Sequence, residues 1–501
     1  MSQHIMDVFQ TTAKTLQLLY GFFKPFFKHK KDSESLSIRL QWDLRVLDKL
    51  QNTLIALQQS GVSADDADQI LWNDSVKYLE DLTGRLQGIQ YNIKNKSNML
   101  TWWSDEQDYR ELERELREWT QRFDVHLLAL PYSMRSNIDL TSLDANLATP
   151  FLAAQSRIEG FRRDSQAAKA ESMRQMLIED HADQFSEQRA PGKHTFVKFK
   201  GKDVIVEYKK IPTRFLEQER SKVSEVFNNS IAEICAILNH CDPPSTGVLK
   251  SLGFFHVLDG ENPRCGIVYA IPTTLMQGDS IPRTLSSILT EPAGHTLEQR
   301  FELARKLATA VFFLHSVGWV HKAIRSSNVI VLQSSQIPET RRYPISLGDP
   351  YLVNLESARG VQEHSDPSDR LKRALFEQDI YDHPYRVSEG QNVDLKYSMV
   401  HDVYSLGVVL LEIGFWNPMT LYQSRFIVDR EQGDIAGVRM KTPIERREVL
   451  LKLARTSAIY MGRKYATIVE NCLNLEGSQH GHVGFIKDVL GQLERLSAAM
   501  N

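Results

Sequence analysis

Cysteine is scarce in this chain, and no cysteine motif occurs. The 501 residues include four cysteines, Cys235, Cys241, Cys265 and Cys472, and no two are spaced as CxxC. That spacing excludes a thiolate zinc module and a disulfide framework, and it predicts a reducing, intracellular setting with no metal. Long hydrophobic runs are missing too. No stretch reaches the roughly 18 consecutive apolar residues of a membrane helix. The nearest, Leu16 to Phe27, is short and carries Gln17 and Lys24. Met1-Ser2-Gln3-His4 lacks a basic start, so no signal peptide is predicted and the protein is expected to be made soluble in the cytoplasm. Neither sign of charge dominates. The net charge of −3 predicts no global attraction to nucleic acid. A hydrophobic share of 42% and a charged share of 25% fit a globular protein long enough for two or three domains.

The pattern along the chain separates an N-terminal helical part from a mixed C-terminal part. Leu36, Leu40, Leu44, Leu47, Leu54 and Leu57 recur at steps near three and four, and Tyr109, Leu112, Leu116, Trp119 and Phe123 do so more cleanly. Charges such as Arg110-Glu111 and Glu113-Arg114-Glu115 fill the opposite face, as in a bundle helix. Another helix is predicted from about Ala64 to Asn95, entered through the cap-like Ser63-Ala64-Asp65-Asp66. Residues 1–140 therefore read as a four-helix bundle with antiparallel neighbours. Residues 141–189, with Phe151, Ile158, Phe161, Met173, Met176 and Leu177, read as a helical brace. After Arg189-Ala190-Pro191-Gly192 the period shortens to two. Thr195-Phe196-Val197-Lys198-Phe199-Lys200 and Val204-Ile205-Val206-Glu207-Tyr208 predict paired strands around Gly201-Lys202. Helices return after Leu297, so residues 190–501 read as an α+β two-lobed domain.

Within that domain, Leu314-His315-Ser316-Val317-Gly318-Trp319-Val320-His321-Lys322-Ala323-Ile324-Arg325-Ser326-Ser327-Asn328-Val329 resembles the catalytic loop of a protein kinase. Ala323 stands where the catalytic aspartate belongs, and a methyl group cannot accept a proton. Lys322 takes the place of the loop arginine, and Asn328 matches a metal-binding asparagine. In Tyr351-Leu352-Val353-Asn354-Leu355-Glu356, the metal-binding aspartate position falls on Asn354 and the following glycine position on Glu356. Asp349 is an alternative, followed by Pro350. A neutral amide is a weak ligand for a hard cation. The strand lysine is best matched by Lys209, with Lys210 as a competitor, and its helix partner by Glu233. No GxGxxG cradle precedes them; residues 183–202 hold only Gly192 and Gly201. His401-Asp402-Val403-Tyr404-Ser405-Leu406-Gly407-Val408-Val409-Leu410-Leu411-Glu412 is similar to the central C-lobe helix of kinases, and there Asp402 would be structural. The resemblance implies a protein-kinase-like fold without enzymatic activity, a pseudokinase. It requires no cofactor, and Lys209, Glu233 and Asn328 leave a nucleotide pocket, and so weak ATP binding, open. An active atypical kinase using Lys209 and Asn328 is the least favoured alternative.

A bundle, a brace and a pseudokinase in this order resemble the mixed-lineage kinase domain-like family of necroptosis executioners, and the wording of the loop and helix looks like fungal relatives with a HeLo-type bundle. The resemblance implies an effector of regulated cell death. Its bundle would self-associate into a homo-oligomer, move from cytoplasm to plasma membrane and permeabilise it. The residues offer a physical version. Phe22, Phe23, Phe26 and Phe27 lie beside Lys24, Lys28, Lys30 and Lys31, and residues 1–31 carry a net +4. An apolar segment beside a basic cluster suits an anionic lipid surface. The same phenylalanines also suit a bundle core. Ser365 and Ser368, in the segment from Asn354 to Pro384, are candidate phosphorylation sites for an upstream kinase or sensor. A non-catalytic signalling scaffold is the alternative from another class.

Overall fold

A computed structural model describes residues 3–23, 31–59, 66–95, 106–129, 149–179, 185–186, 194–216, 223–258, 263–272, 275, 283–334, 337–355, 359–360, 379–384, 397–427, 441–475 and 485–500. The chain is mostly helical, and among the described residues the small antiparallel sheets begin at Phe185. It forms two compact units, one of residues Met1–Ser156 with Gln479–Lys487, the other of Arg157–Ser478 with Asp488–Asn501.

The first unit holds α1 (Gln3–Phe23), α2 (Lys31–Gln59), α3 (Asp66–Asn95) and α4 (Glu106–Ala129). α1 packs on α2 and α3, and α4 packs on the same two helices. The stripes that drive this are visible at side-chain level. Val8, Phe9, Leu16 and Leu19 of α1 are buried, as are Leu36, Leu40, Leu47 and Leu50 of α2. Val76, Leu79, Leu82 and Leu86 of α3 and Leu116, Trp119 and Phe123 of α4 complete the core. Each such side chain contributes about 1.5–3 kcal/mol on burial. Trp119 stacks on Phe123 with ring centroids 5.1 Å apart and donates its indole N–H to the Leu82 carbonyl at 3.0 Å.

The bundle also buries an ionic cluster that the periodicity does not announce. The Arg39 guanidinium contacts Asp124 of α4 and donates to Asp43 at 3.0 Å, and the Thr149 hydroxyl donates to Asp124 at 2.6 Å. Arg39 is 4% exposed and both aspartates are fully enclosed. Burial pushes the Asp43 carboxyl up to about 7 against the pull of Arg39, and it raises Asp124 as well. Thr149 lies beyond residue 140, so this unit extends past the boundary expected for the bundle.

The expected brace is two helices, α5 (Pro150–Arg163) and α6 (Gln166–Arg174), separated by Ser165, whose side chain caps α6 through the Ala168 N–H. The division between the units falls within α5, and helix ends well before residue 189. Residues Phe185–Ser186 form β1, which pairs with β2 (His194–Phe199). β2 turns into β3 (Lys202–Lys210) through Lys200 and Gly201, both at positive φ, as a two-residue hairpin of matching twist requires. Helix α7 (Glu225–Asn239) follows, capped by Ser224, and then β4 (Ser251–Val257) and β5 (Arg264–Ala270). The sheet order is β1-β2-β3-β5-β4.

The helical half contains β6 (Arg283–Thr284), α8 (Leu297–Ser316), β7 (Trp319–Val320), β8 (Val329–Leu332), β9 (Asp349–Leu352) and β10 (Arg359–Gly360). It ends with α9 (Met399–Phe415), α10 (Pro443–Asn474) and α11 (Gly491–Ala498). Strands β6-β8-β9 form one sheet and β10-β7 a ribbon. α9 is buried on every side from Val400 to Gly414, and its polar residues His401, Asp402, Ser405 and Glu412 are hydrogen-bonded within the fold. It packs between α8 and α10. Gly407 permits the close approach to α10: a Cβ there would lie 2.7 Å from the Cys472 Cβ. Among the described residues no single helix is long and apolar enough to cross a membrane.

Candidate functional site

The site assembles where α8, the loop after β7, the end of β9, strand β3 and the first turn of α9 meet. Asp402, fully buried in α9, organises it. Its Oδ2 accepts the His321 N–H at 2.6 Å and faces His315 Nε2 at 3.1 Å. Its Oδ1 accepts the Lys322 N–H and the Tyr397 hydroxyl, each at 2.9 Å. Burial by itself would raise this carboxyl. The hydrogen bond and charge attraction of His315, together with His321, hold it below the usual carboxylate range. One side chain thereby fixes the backbone of a loop eighty residues away and stabilises Lys322 at φ 65.

His321 is fully buried and carries the order onward. Its Nε2 donates to the Val353 carbonyl at 3.0 Å, and its Nδ1 accepts the Ala323 N–H at 3.2 Å. Both contacts call for the neutral ring, and burial lowers its pKa accordingly. The Asn328 amide donates to the Ala323 carbonyl at 2.7 Å, and the Asn328 carbonyl accepts the Val353 N–H at 3.0 Å. Ala323 is 8% exposed, and its methyl group presents no lone pair at the centre of this network.

Asn354 follows at φ 67 and is largely buried. Its N–H donates to Glu207 Oε2 at 2.8 Å. Glu207 belongs to β3 and is 1% exposed. Successive strand side chains alternate faces. Val204 and Val206 pack with Val197, Phe199, Phe255 and Val268, so Ile205, Glu207 and Lys209 share the other face. The Cys235 thiol of α7 feels the same carboxylate; burial first, and Glu207 in addition, push it up to about 12.

The structure brings Ala323, Asn328, Asn354 and Asp402 into one hydrogen-bonded network. Of the two aspartate-position alternatives, Asn354 lies in this network, whereas Asp349 accepts from Lys306 at 2.6 Å on β9. Lys209 is half-buried with its ammonium 5.8 Å from the centre of the Phe227 ring. Glu233 is exposed on α7 and interacts with Arg162 of α5. The residue of β3 that meets Asn354 is therefore Glu207, which sequence reasoning passed over. The signal was available as one acid closing the apolar run Val204-Ile205-Val206. Glu356, Lys24, Phe26, Phe27, Lys28, Lys30, Ser365 and Ser368 lie outside the described residues, and so do the side chains of Phe22, Phe23 and Lys31. Among the described residues no cluster of His, Cys, Asp and Glu suits a metal ion.

A second network secures the neighbouring segment. The Tyr381 hydroxyl donates to Glu412 Oε1 at 2.7 Å and meets Ser326 at 3.2 Å, and Ser405 donates to the Tyr381 carbonyl at 2.7 Å. Burial pushes Glu412 up to about 7, against the donations from the Met419 N–H and Tyr381. Comparison with protein-family models gives no match, and comparison with curated proteins gives none either.

Proposed function

We propose that the C-terminal unit is a kinase-like domain that does not transfer phosphate, and that it regulates an N-terminal bundle acting on membranes in cell death. The observation that carries the first half is Ala323. It sits in a loop held by bonds from Asp402 to His321 to Asn328, and its own methyl group can take no proton. The Asn328 amide is committed to the loop itself, and Asn354 brings a neutral amide where a hard cation prefers a carboxylate. A rigid scaffold lacking its reactive group suits a domain that works by switching shape.

The second half rests on the resemblance in domain order and on the apolar and basic N-terminal segment. On this reading a signal at the pseudokinase, such as phosphorylation at Ser365 or Ser368, frees the bundle. The bundle then self-associates and opens anionic plasma membrane. Neither nucleotide nor metal is required. A purified chain is expected to give no metal-dependent phosphotransfer above background; transfer abolished by Lys209→Met overturns the pseudokinase reading. Residues 1–156, bounded to keep the Thr149–Asp124 bond, are expected to release dye from anionic vesicles. Intact vesicles beside a bundle that is helical by circular dichroism overturn the membrane reading.

One observation favours the scaffold alternative. Leu16 and Leu19 are buried in the bundle, so the apolar stripe of α1 is partly occupied in this fold. A protein-docking bundle works in that state, whereas membrane action requires its release.

A further inference from the structure

We infer that Glu207 is the residue that excludes nucleotides from this domain, by holding the Asn354 amide with an internal carboxylate where a phosphate would otherwise compete. The inference rests on the kinase-like reading of the site and deepens it. It replaces a list of missing parts with one group that is present and acts.

First, Glu207 is 1% exposed and its Oε2 lies 2.8 Å from the Asn354 nitrogen, across 147 positions of sequence. A buried acid on a strand whose neighbours Ile205 and Val206 are wholly apolar is costly unless it is bonded. Second, the bond locks Asn354 at φ 67, a left-handed conformation that asparagine tolerates and that needs support from its surroundings. Asn354 directly follows Val353, which binds both His321 and Asn328, so the carboxylate is coupled to the whole loop. Third, the charge has the wrong sign for a nucleotide. Phosphate oxygens recruit backbone N–H groups and cations. Here the Asn354 N–H, on a residue only 8% exposed, is already taken by the Glu207 side chain, and a triphosphate reaching it meets that acid at close range. Lys209, the nearest basic residue on this face of β3, lies against the Phe227 ring.

The consequence is specific. On this inference the internal Glu207–Asn354 bond, and not ATP, holds Asn354 in place.

The test uses the full-length chain and ATP, with and without Mg²⁺, by calorimetric titration. Glu207→Gln keeps an acceptor for the Asn354 N–H and removes the charge; Glu207→Lys reverses it. Both variants are expected to bind ATP at least about tenfold more tightly than the native chain, the size of one like-charge repulsion removed. Equal affinity in native and Glu207→Gln proteins, or binding in neither, overturns the inference. Should the variants not fold, the native chain decides: saturable ATP binding at micromolar concentration overturns the inference, and none at millimolar supports it. The two readings separate cleanly. Native binding without phosphotransfer removes this inference and leaves the pseudokinase standing, whereas metal-dependent phosphotransfer removes the pseudokinase itself.

Discussion

Replacing Asp402 by asparagine keeps the size and shape of the side chain and removes only its charge and one acceptor. Each carboxylate oxygen now serves two donors: Oδ2 the His321 N–H and His315, Oδ1 the Lys322 N–H and Tyr397. Whichever way the amide is turned, its NH₂ faces donors that it cannot satisfy. A hydrogen bond to a charged group contributes about 1.5–3 kcal/mol, so losing those on one oxygen costs about 3–6 kcal/mol. That is a large part of the roughly 5–15 kcal/mol holding a domain together. The pH dependence follows from the depressed pKa. The folded carboxyl titrates below its unfolded value, so its contribution is present above about pH 3.9 and is lost as pH falls through the folded pKa. The penalty in the variant is therefore expected in full at neutral pH and to shrink only in strong acid. Denaturant unfolding gives the energy, and hydrogen exchange by mass spectrometry localises it to residues 315–330. A loss under about 1 kcal/mol with unchanged exchange in that loop refutes the view that Asp402 anchors it.

Arg39→Met leaves Asp43 and Asp124 buried without their cation and is expected to cost about 3–5 kcal/mol at neutral pH. Both folded pKa values are raised, Asp43 to about 7, so the folded state holds protons that the unfolded chain releases. Losing Arg39, which lowers both carboxyls, raises them further, so the stability of the variant should fall as pH rises from about 4 to beyond 7, and melting curves at pH 5 and pH 8 that coincide refute this. Gly407→Ala places a Cβ 2.7 Å from Cys472 and is expected to destabilise the α9–α10 packing by about 1–3 kcal/mol, read by thermal melting of the C-terminal unit.

Legibility followed the range of the interactions. The stripe Leu116, Trp119 and Phe123 announces its helix because the period of a helix is local, and the same residues are buried in the bundle. The hairpin of β2 and β3 was readable from alternation, though its turn is Lys200-Gly201 and Lys202 already pairs with Phe199. The loop with Ala323 and the helix with Asp402 were readable because spacing within each segment carries their pattern. The pairing of Lys209 with Glu233 was not fixed by spacing. Which strand residue faces the loop depends on the register and on the other strands packed around it, and the face holding Glu207 is decided by the valines opposite.

The amino-acid sequence by itself therefore determined the local elements and the separation into a helical and a mixed part, because each depends on neighbours a few residues apart. Only the tertiary structure decided that Thr149 closes the bundle's ionic cluster and that α5 is shared between the units. It alone decided that Glu207 meets Asn354. Buried polar groups must find partners wherever the fold brings them, and that requirement leaves no periodic trace along the chain.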